Sequence, residues 1–306
     1  MVSFLKSFAG VTDLSPDARV QVFRSFFSAP GEFDNLSVDA YVVITERCVV
    51  FCDTLLCPED MRLVCEALSD DVMKGKQLLV IYSHADWDHV WGTHYLLERY
   101  TPVIIGHEHC RTRLLSVEEK RLLHEYQENF AVFRPVVLVP PAITFRDGLN
   151  IYGGDLTLEL FSAPGHQMDQ IAGWIPEIQL LLAFDALEYP LPGIGAPELV
   201  LDMFRTLERF RELQPTCVLC SHGNMASPLL IEQNSRYLRE IESRSRALLA
   251  RQLVSEDEMA EPAQLIGYSY AEATGVVREQ IDHVYYEYTH AENIRCMLRW
   301  LLSMAT

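Results

Sequence analysis

The sequence predicts a mixed α/β fold in which two mixed sheets are covered by helices on their outer faces. Apolar runs of strand length alternate with helical patterns, several strand pairs resemble hairpins, and residues 227–303 are nearly free of strand patterns. We therefore expect a sandwich over residues 1–226. A helical C-terminal extension over residues 227–306 should pack on the same domain.

The predicted strands are short runs rich in branched apolar and aromatic residues, as is typical of buried strands. They are AYVVIT (40–45), CVVFCD (48–53), QLLVIYS (77–83), PVIIG (102–106), LTLELFS (156–162), IAGWI (171–175), QLLLAFD (179–185) and TCVLCSH (216–222). The Pro-Glu pair after IAGWI predicts a hairpin turn between two of these strands.

Helical patterns separate the strands. The predicted helices are Glu59–Leu68, Asp88–Arg99, Val117–Gln127 and Pro197–Leu213. Ser116 and Glu119 form a capping box before the third of them. Because a Ser-Pro pair is typical of a helix start, Ser15-Pro16 predicts a further short helix at residues 16–27.

Two helix starts are predicted in the extension. Ser227 followed by Pro228 is typical of an N-cap and a first helical position. Thr289 and Glu292 form a capping box, so the last helix should begin there, with His290 close to its cap.

Composition narrows the class of function. The 306 residues include 25 Lys or Arg and 43 Asp or Glu, for a net charge of -18. Binding to nucleic acid needs clustered cations that neutralise phosphates, and anionic membranes repel an acidic protein, so we expect neither partner. A small-molecule substrate fits better, and the sequence leaves the oligomeric state open, a homo-oligomer included.

We expect a cytoplasmic protein. The segment MVSFLKSFAG is too short and too interrupted for a signal peptide, and no apolar run has the length of a membrane span. The eight cysteines form no reliable metal or redox motif, so they should be buried, reduced thiols.

Residues 83–89, SHADWDH, place two histidines and two aspartates at the end of a predicted strand. Alternate residues of an extended segment point the same way, so His84 and Asp86 should share one side. Asp88 and His89 lie at the turn into the next helix and can reach a second ion. Imidazole and carboxylate are strong metal ligands, and so dense a cluster predicts a metal centre. Trp87, between them, is expected to pack under the loop.

Three further candidates each follow an apolar strand. His166 lies after the turn-forming pair Pro164-Gly165, Asp185 ends QLLLAFD, and His222 ends TCVLCSH. A single residue of this kind at a strand end is usually solvated or capping. Three at successive strand ends, after a cluster of four, predict a shared function.

The order HxDxDH, GH, D and H resembles the ligand series HxHxDH, GH, D and H of the metallo-β-lactamase-fold hydrolases. The resemblance extends from residue 37 to residue 223 and includes order, spacing and position at strand ends. It implies an αββα sandwich with two divalent metal ions at one edge of the sheets. By the family's assignment, metal 1 would take His84, Asp86 and His166. Metal 2 would take Asp88, His89 and His222, and Asp185 would bridge the two ions.

Two carboxylates refine this assignment. Asp53 matches the family's first acidic position, where it would orient a ligand histidine. Asp86 departs from the family, which usually has histidine there. Because a carboxylate is a harder ligand than imidazole, iron and manganese join zinc as candidate ions. The set is also similar to that of flavodiiron proteins, although no segment resembles their flavodoxin-like domain.

The resemblance implies a chemistry. Two cations about 3.5–4 Å apart can hold a bridging hydroxide and polarise a carbonyl or phosphoryl oxygen. Asp88 can bind that hydroxide and later pass a proton to the leaving group, which makes it the predicted catalytic residue. We expect a binuclear metal-dependent hydrolase acting on an ester, thioester, lactone, amide or phosphoester, with a di-iron redox or oxygen-binding protein as the alternative. The loop 186–198 should form the substrate rim, with Tyr189, Leu191 and Ile194 as an apolar wall.

Overall fold

The computed structural model describes residues 4–29, 31, 33–68, 70–251, 254–275 and 281–304, and within them two sheets are flanked by helices. In spatial order, the first sheet contains β1 (Leu5–Thr12), β2 (Val20–Ala29), β3 (Phe33–Ile44), β4 (Cys48–Cys52), β5 (Gln77–Ile81), β6 (Val103–His107) and β7 (Ile143–Phe145). The second contains β12 (Cys217–Leu219), β11 (Leu180–Leu182), β10 (Ile171–Ile175), β9 (Thr157–Ser162) and β8 (Gly148–Tyr152).

Both sheets are mixed. Strands β1 to β4 are antiparallel, whereas β4 to β7 run parallel. In the second sheet β8 to β11 are antiparallel, and β12 is parallel to β11. The αββα sandwich expected from the sequence is therefore confirmed.

Central strands bury both faces. In β4, Val50 belongs to the same core cluster as Ile81 and as Leu160 of the second sheet, so one face of the strand belongs to the core between the sheets. The alternate residues Val49 and Phe51 belong to a separate core cluster, which includes residues of the helices. Because neither face is solvated, these strands have the continuous apolar runs by which the sequence revealed them.

The helices are α1 (Pro58–Ala67), α2 (Asp70–Met73), α3 (Trp87–Val90), α4 (Thr93–Arg99), α5 (Glu108–Leu114), α6 (Val117–Asn129), α7 (Val200–Leu213), α8 (Leu229–Leu249), α9 (Pro262–Ile266), α10 (Tyr270–Thr274) and α11 (His283–Ser303). The predicted capping of α6 is present, since Ser116 accepts a hydrogen bond from the backbone of Glu119. In the extension, α11 contacts α7, α8 and β3. The C-terminal helices thus pack against the sandwich at β3.

The helix predicted at residues 16–27 is wrong, because residues 20–29 form β2. Ser15 closes a local turn with the backbone of Asp17 and starts no helix. Strand β2 then pairs with β3 from Val20 opposite Val43 onward. Pairing along both neighbouring strands outweighs the local Ser-Pro signal.

Several helix boundaries differ from the predictions: α8 has Pro228, and not Ser227, as its N-cap, α7 begins at Val200 after a 3-10 turn at Pro197–Leu199, and two further differences are larger. The helix expected at Asp88–Arg99 is broken into α3 and α4 around Gly92, where an added Cβ would lie 1.9 Å from the Thr54 carbonyl oxygen. The last helix begins at His283, capped by Asp282, so Thr289 and His290 lie inside it. The capping box at Thr289 was therefore wrong.

The remaining expectations concern cysteines and membranes. All eight cysteines are buried free thiols. Among the described residues, no helix combines the length and the apolar character that crossing a bilayer requires.

Candidate metal centre

The candidate metal centre lies where strands of both sheets end. Residues 83–89 follow β5, whereas Asp185 follows β11 and His222 follows β12. Asp53, which follows β4, and Phe184, which follows β11, have φ values of 65° and 50°. This left-handed conformation is uncommon for residues other than glycine, and it turns the chain at the edge where the polar side chains gather.

The seven ligand residues predicted from the sequence converge. Group 1, defined as His84, Asp86 and His166, and group 2, defined as Asp88, His89 and His222, each bring ligand atoms within 4.8 Å of one another. Asp185 forms a further such set with His84 and His89, one histidine from each group. These groups are the two ligand sets that the resemblance implied, with Asp185 between them.

Asp185 occupies the middle of the centre. Its Oδ2 lies 3.2 Å from His89 Nε2, 3.3 Å from His222 Nε2, and 3.6 Å from Nε2 of both His84 and His166. Asp86 Oδ2 lies 3.1 and 3.3 Å from the two imidazoles of group 1. All four histidines therefore present Nε2 to the carboxylates.

The donor set fits divalent metal ions. Within the described chain, the buried atoms His84 Nε2, His89 Nε2 and Asp185 Oδ1 have no hydrogen-bond partner. Burial lowers the pKa of His166, but the carboxylates outweigh this effect: Asp86 and Asp185 raise the pKa to about 9. Asp185 raises that of His222 to about 10. The centre thus attracts positive charge, and cations would satisfy atoms that are otherwise unpaired.

In three of the histidines, Nδ1, which is the ring nitrogen that points away from the centre, has a partner of its own. We call Nδ1 the outward nitrogen. His89 Nδ1 lies 2.8 Å from Asp53 Oδ2, and His222 Nδ1 lies 2.6 Å from the Ser37 carbonyl oxygen. His84 Nδ1 lies 2.9 Å from the Ser83 hydroxyl. Asp53 therefore contacts a candidate ligand histidine, as its place in the sequence predicts. Such contacts fix the tautomer and orientation of ligand imidazoles.

The contacts of Asp86 involve an arginine that sequence reasoning missed. Arg113 of α5 pairs with Asp86 Oδ1, and the same guanidinium contacts Glu119 and Asp169. Burial raises the pKa of Asp86, but His84 and Arg113 together hold it well below its usual range. One oxygen of Asp86 is thus engaged by arginine, and the other faces the imidazoles of group 1.

Glu188 is a further carboxylate that sequence reasoning missed. It is fully buried, and its Oε1 lies 3.9 Å from His166 Nδ1. Burial and the nearby Asp185 raise its pKa to about 7, against the opposing effect of the histidines. It forms a fourth possible ligand set with His166 and Asp185.

A cavity of about 120 Å³ lies over the centre. It is lined by Asp86, Asp88, His166, Asp185 and His222 together with Phe27, Phe33, Leu36, Trp87 and Tyr285. Trp87 also packs against Phe27 and Phe133, in line with its expected packing role. Tyr285, from the first turn of α11, was not anticipated from the sequence. Burial raises the pKa of its phenol well above the usual value, so the hydroxyl stays protonated.

The apolar wall of this cavity is not the one expected from the loop 186–198. Leu191 and Ile194 are only 1% and 6% exposed and belong to the hydrophobic core. Asn293 of α11 draws the loop inward, because it accepts from the Ile194 amide and donates to the Pro192 carbonyl. Tyr189 lines a separate cavity of about 570 Å³ beside Tyr237 and Tyr268. Aromatic residues from β2, β3 and α11 take the place of the expected wall.

Six histidines lie outside these ligand sets, and two of them, His107 and His290, are buried. His107 is buried at the end of β6, where its ring faces the Arg146 carbonyl. His290 is held between the Tyr237 hydroxyl and the Tyr268 carbonyl. Both have local partners that account for them.

Comparisons with known proteins agree with this geometry. The family model of the metallo-beta-lactamase superfamily matches residues 34–222. No curated protein sequence matches the chain at a significant level. Among solved structures, a beta-lactamase domain protein from Burkholderia ambifaria is 16% identical with a TM-score of 0.66, and the match covers 96% of this chain and 89% of that one.

Two further structures share the fold. A metallo-beta-lactamase family protein from Thermus thermophilus is 19% identical with a TM-score of 0.58, over 86% of this chain and 88% of its own. A metallo-beta-lactamase from Pontibacter korlensis is 16% identical with a TM-score of 0.57, over 74% of this chain and 96% of its own. The fold and the site define a metallo-β-lactamase-fold protein with His/Asp clusters that could hold metal ions. Because the family model matches more than half of its length, the chain belongs to the metallo-beta-lactamase superfamily.

Proposed function

We propose that this chain is a binuclear metal-dependent hydrolase that cleaves an ester, thioester, lactone, amide or phosphoester. The observation that carries the proposal is the pair of ligand groups joined by Asp185, with unpaired imidazole and carboxylate atoms facing one another. Group 1 and Asp185 would hold one divalent ion, and group 2 and Asp185 the other. When bound, two such ions supply Lewis acidity and lower the pKa of water.

Asp88 is the proposed proton carrier. Its Oδ2 lies 3.4 Å from His222 Nε2 and 3.7 Å from His89 Nε2, and the residue lines the cavity. A carboxylate at this position can accept a proton from water and release it to the leaving group. Tyr285, which keeps its hydroxyl proton, can donate a hydrogen bond to a substrate oxygen in the same cavity.

The lining favours uncharged acyl substrates over phosphoesters. Among the described residues that line the cavity, none is lysine or arginine, and three are aspartates. The whole chain has a net charge of -18. A phosphodiester would gain no pairing with a protein cation here, whereas an ester or thioester would place its apolar part against Phe33 and Trp87.

The test is turnover of a p-nitrophenyl ester and of bis(p-nitrophenyl) phosphate by the metal-loaded protein and by Asp88→Asn. We expect slow ester hydrolysis that exceeds phosphodiester hydrolysis. Asp88→Asn should lower it by about 10²–10⁴, because an amide neither binds metal well nor carries the proton. Asp202→Asn, which alters a surface pair with Arg205, is the matched control. Full activity in Asp88→Asn with unchanged metal content would mean that the role is misassigned.

A di-iron redox protein is the second candidate, and Asp86 favours it. With this carboxylate, each ligand group has two imidazoles and one carboxylate that the other group does not share. This is a harder ligand set than the family usually has. Metal analysis and an optical spectrum of protein purified without added metal separate the candidates. Iron near two per chain with visible absorption supports the redox function, and zinc or manganese without such absorption supports hydrolysis.

A further inference from the structure

The histidines of the centre differ in how their outward nitrogens are held. His84, His89 and His222 each have an Nδ1 partner at 2.6–2.9 Å. His166 Nδ1 is buried and, in the described chain, has no hydrogen-bond partner. The acidic oxygen that faces it is Glu188 Oε1, at 3.9 Å. A buried ring N–H without an acceptor is costly, so this contact needs an explanation.

Glu188 is itself firmly held. Its Oε2 accepts from the Tyr286 hydroxyl at 3.2 Å, and its Oε1 accepts from the Gly193 amide at 3.3 Å. The side chain of Asn234 accepts a hydrogen bond from the backbone amide of Glu188 at 3.2 Å. It also donates one to the backbone carbonyl of Glu188 at 3.0 Å. Burying a carboxylate costs free energy unless it is bound on several sides. These contacts fix an acidic oxygen beside the one ligand imidazole that lacks a partner.

We propose that Glu188 is the positioning residue for His166 and that the C-terminal helices complete this half of the metal centre through Tyr286 and Asn234. When His166 Nε2 serves as a ligand, its proton is on Nδ1, and a small approach that closes the 3.9 Å gap would let Glu188 Oε1 accept a hydrogen bond from it and so fix the tautomer and the ring plane. The inference rests on the proposed binuclear centre. It assigns to Glu188 toward group 1 the role that Asp53 has toward group 2.

By this proposal, the C-terminal extension supports the metal centre through residues that contact Glu188. Tyr286 lies on α11 and Asn234 on α8, and both are outside residues 34–222, which the family model matches. The chain of contacts runs from α11 through the Tyr286 hydroxyl to Glu188 and then to His166. A direct ligand role for Glu188 is the competing idea, since it forms a ligand set with His166 and Asp185. We favour positioning because Glu188 faces Nδ1, and not the Nε2 that the other carboxylates face.

The experiment measures metal retention in full-length protein, independently of activity. Parent, Glu188→Ala, Glu188→Gln and Asp53→Ala are loaded with zinc, dialysed against a mild chelator and analysed for metal per chain. Glu188→Ala should keep one ion firmly and hold the other about 10–100-fold more weakly. Glu188→Gln should retain both, because its amide oxygen still accepts from Nδ1–H. Parent-like retention by Glu188→Ala overturns the proposal, and equal loss in Glu188→Gln indicates a direct ligand instead.

Double variants identify which ion is affected. Glu188→Ala combined with Asp86→Ala should still lose only one ion, since both changes act on group 1. Glu188→Ala combined with Asp53→Ala should lose both, and the reverse pattern overturns the assignment.

If circular dichroism shows that Glu188→Ala does not fold, Tyr286→Phe is the second variant, since it removes only the hydroxyl donor. It should weaken one ion several-fold, and parent-like retention there contradicts the proposal. A parent that never holds two ions counts against the binuclear centre itself, whatever Glu188 does.

Discussion

The two halves of the candidate centre are built differently. In group 2 the outward nitrogens of both histidines meet partners on or next to strands of the first sheet: Asp53 after β4 at 2.8 Å and the Ser37 carbonyl of β3 at 2.6 Å. In group 1, Ser83, which follows β5, contacts His84 Nδ1 in a similar way, whereas the contacts of Asp86 and His166 come from side chains outside the sheets. Arg113 of α5 holds Asp86, and Glu188, supported by α11, faces His166 across 3.9 Å.

This difference indicates which half is more adaptable. Strand ends are placed by backbone hydrogen bonds across a sheet, so the partners of the group 2 histidines are positioned by the first sheet. The Asp86 side chain is 20% exposed against 10% for Asp88, and its partner Arg113 is 31% exposed. Because partly exposed ion pairs are worth less than buried hydrogen bonds to backbone, we expect group 1 to release its ion first.

The largest effect on metal binding should come from a substitution that affects both halves of the centre equally. Asp185 faces all four imidazoles, so Asp185→Ala should lower the affinity for both ions by about 100-fold or more and abolish hydrolysis. Metal content after dialysis is the measurement, with Asp202→Asn as the control. One firmly retained ion in Asp185→Ala would show that Asp185 belongs to a single half.

Asp86→Ala should separate the halves. If Asp86 is a private ligand of metal 1, its removal should weaken that ion by about 10–100-fold and leave the ion of group 2 in place. The competing idea is that Arg113 alone uses this carboxylate and that a water completes the coordination. The number of metal ions per chain after dialysis against a mild chelator distinguishes the two ideas. If the Asp86→Ala protein keeps both ions as firmly as the parent, Asp86 is not a ligand.

Asp86→His should sharpen the comparison by making group 1 resemble the commoner family site. The variant should still bind two ions, with its preference shifted toward zinc, because imidazole replaces a hard oxygen and one negative charge is lost. Arg113 keeps Glu119 and Asp169 as partners, so the fold should tolerate the change. Competition between zinc and manganese, measured by metal analysis, checks the shift. An unchanged preference would show that Asp86 does not determine which metal the centre prefers.

The smallest effect should come from Tyr285, which contacts neither half as a ligand. Tyr285→Phe removes only the hydroxyl, so both ions should remain while ester turnover falls by about 10-fold, as expected for the loss of one hydrogen bond to a charged or developing oxyanion. Parallel measurement of metal content and of kcat and KM separates this outcome from a structural defect. Loss of metal in Tyr285→Phe would instead place the residue in the support of the centre.

Much of the fold was predictable because its signals are local. Runs such as QLLVI and IAGWI have both faces buried, so their apolar character is continuous and marks β5 and β10 directly. Strand β1 and the short strands β7 and β8 lack that character, since their residues alternate or are exposed, and they were missed. Residues 20–29 became a strand by pairing with β3, which no local pattern near Pro16 could indicate.

The sequence by itself determined the order of the candidate ligand residues, because seven imidazole and carboxylate side chains that follow apolar strands have few common uses other than metal binding. Only the tertiary structure decided which residues support them. Arg113, Glu188 and Tyr285 reach the site from a helix, a loop and the extension, and Leu191 and Ile194 were drawn into the core by Asn293. Such contacts depend on which elements distant in sequence pack together, and the choice of packing partner leaves no periodic signal in the chain.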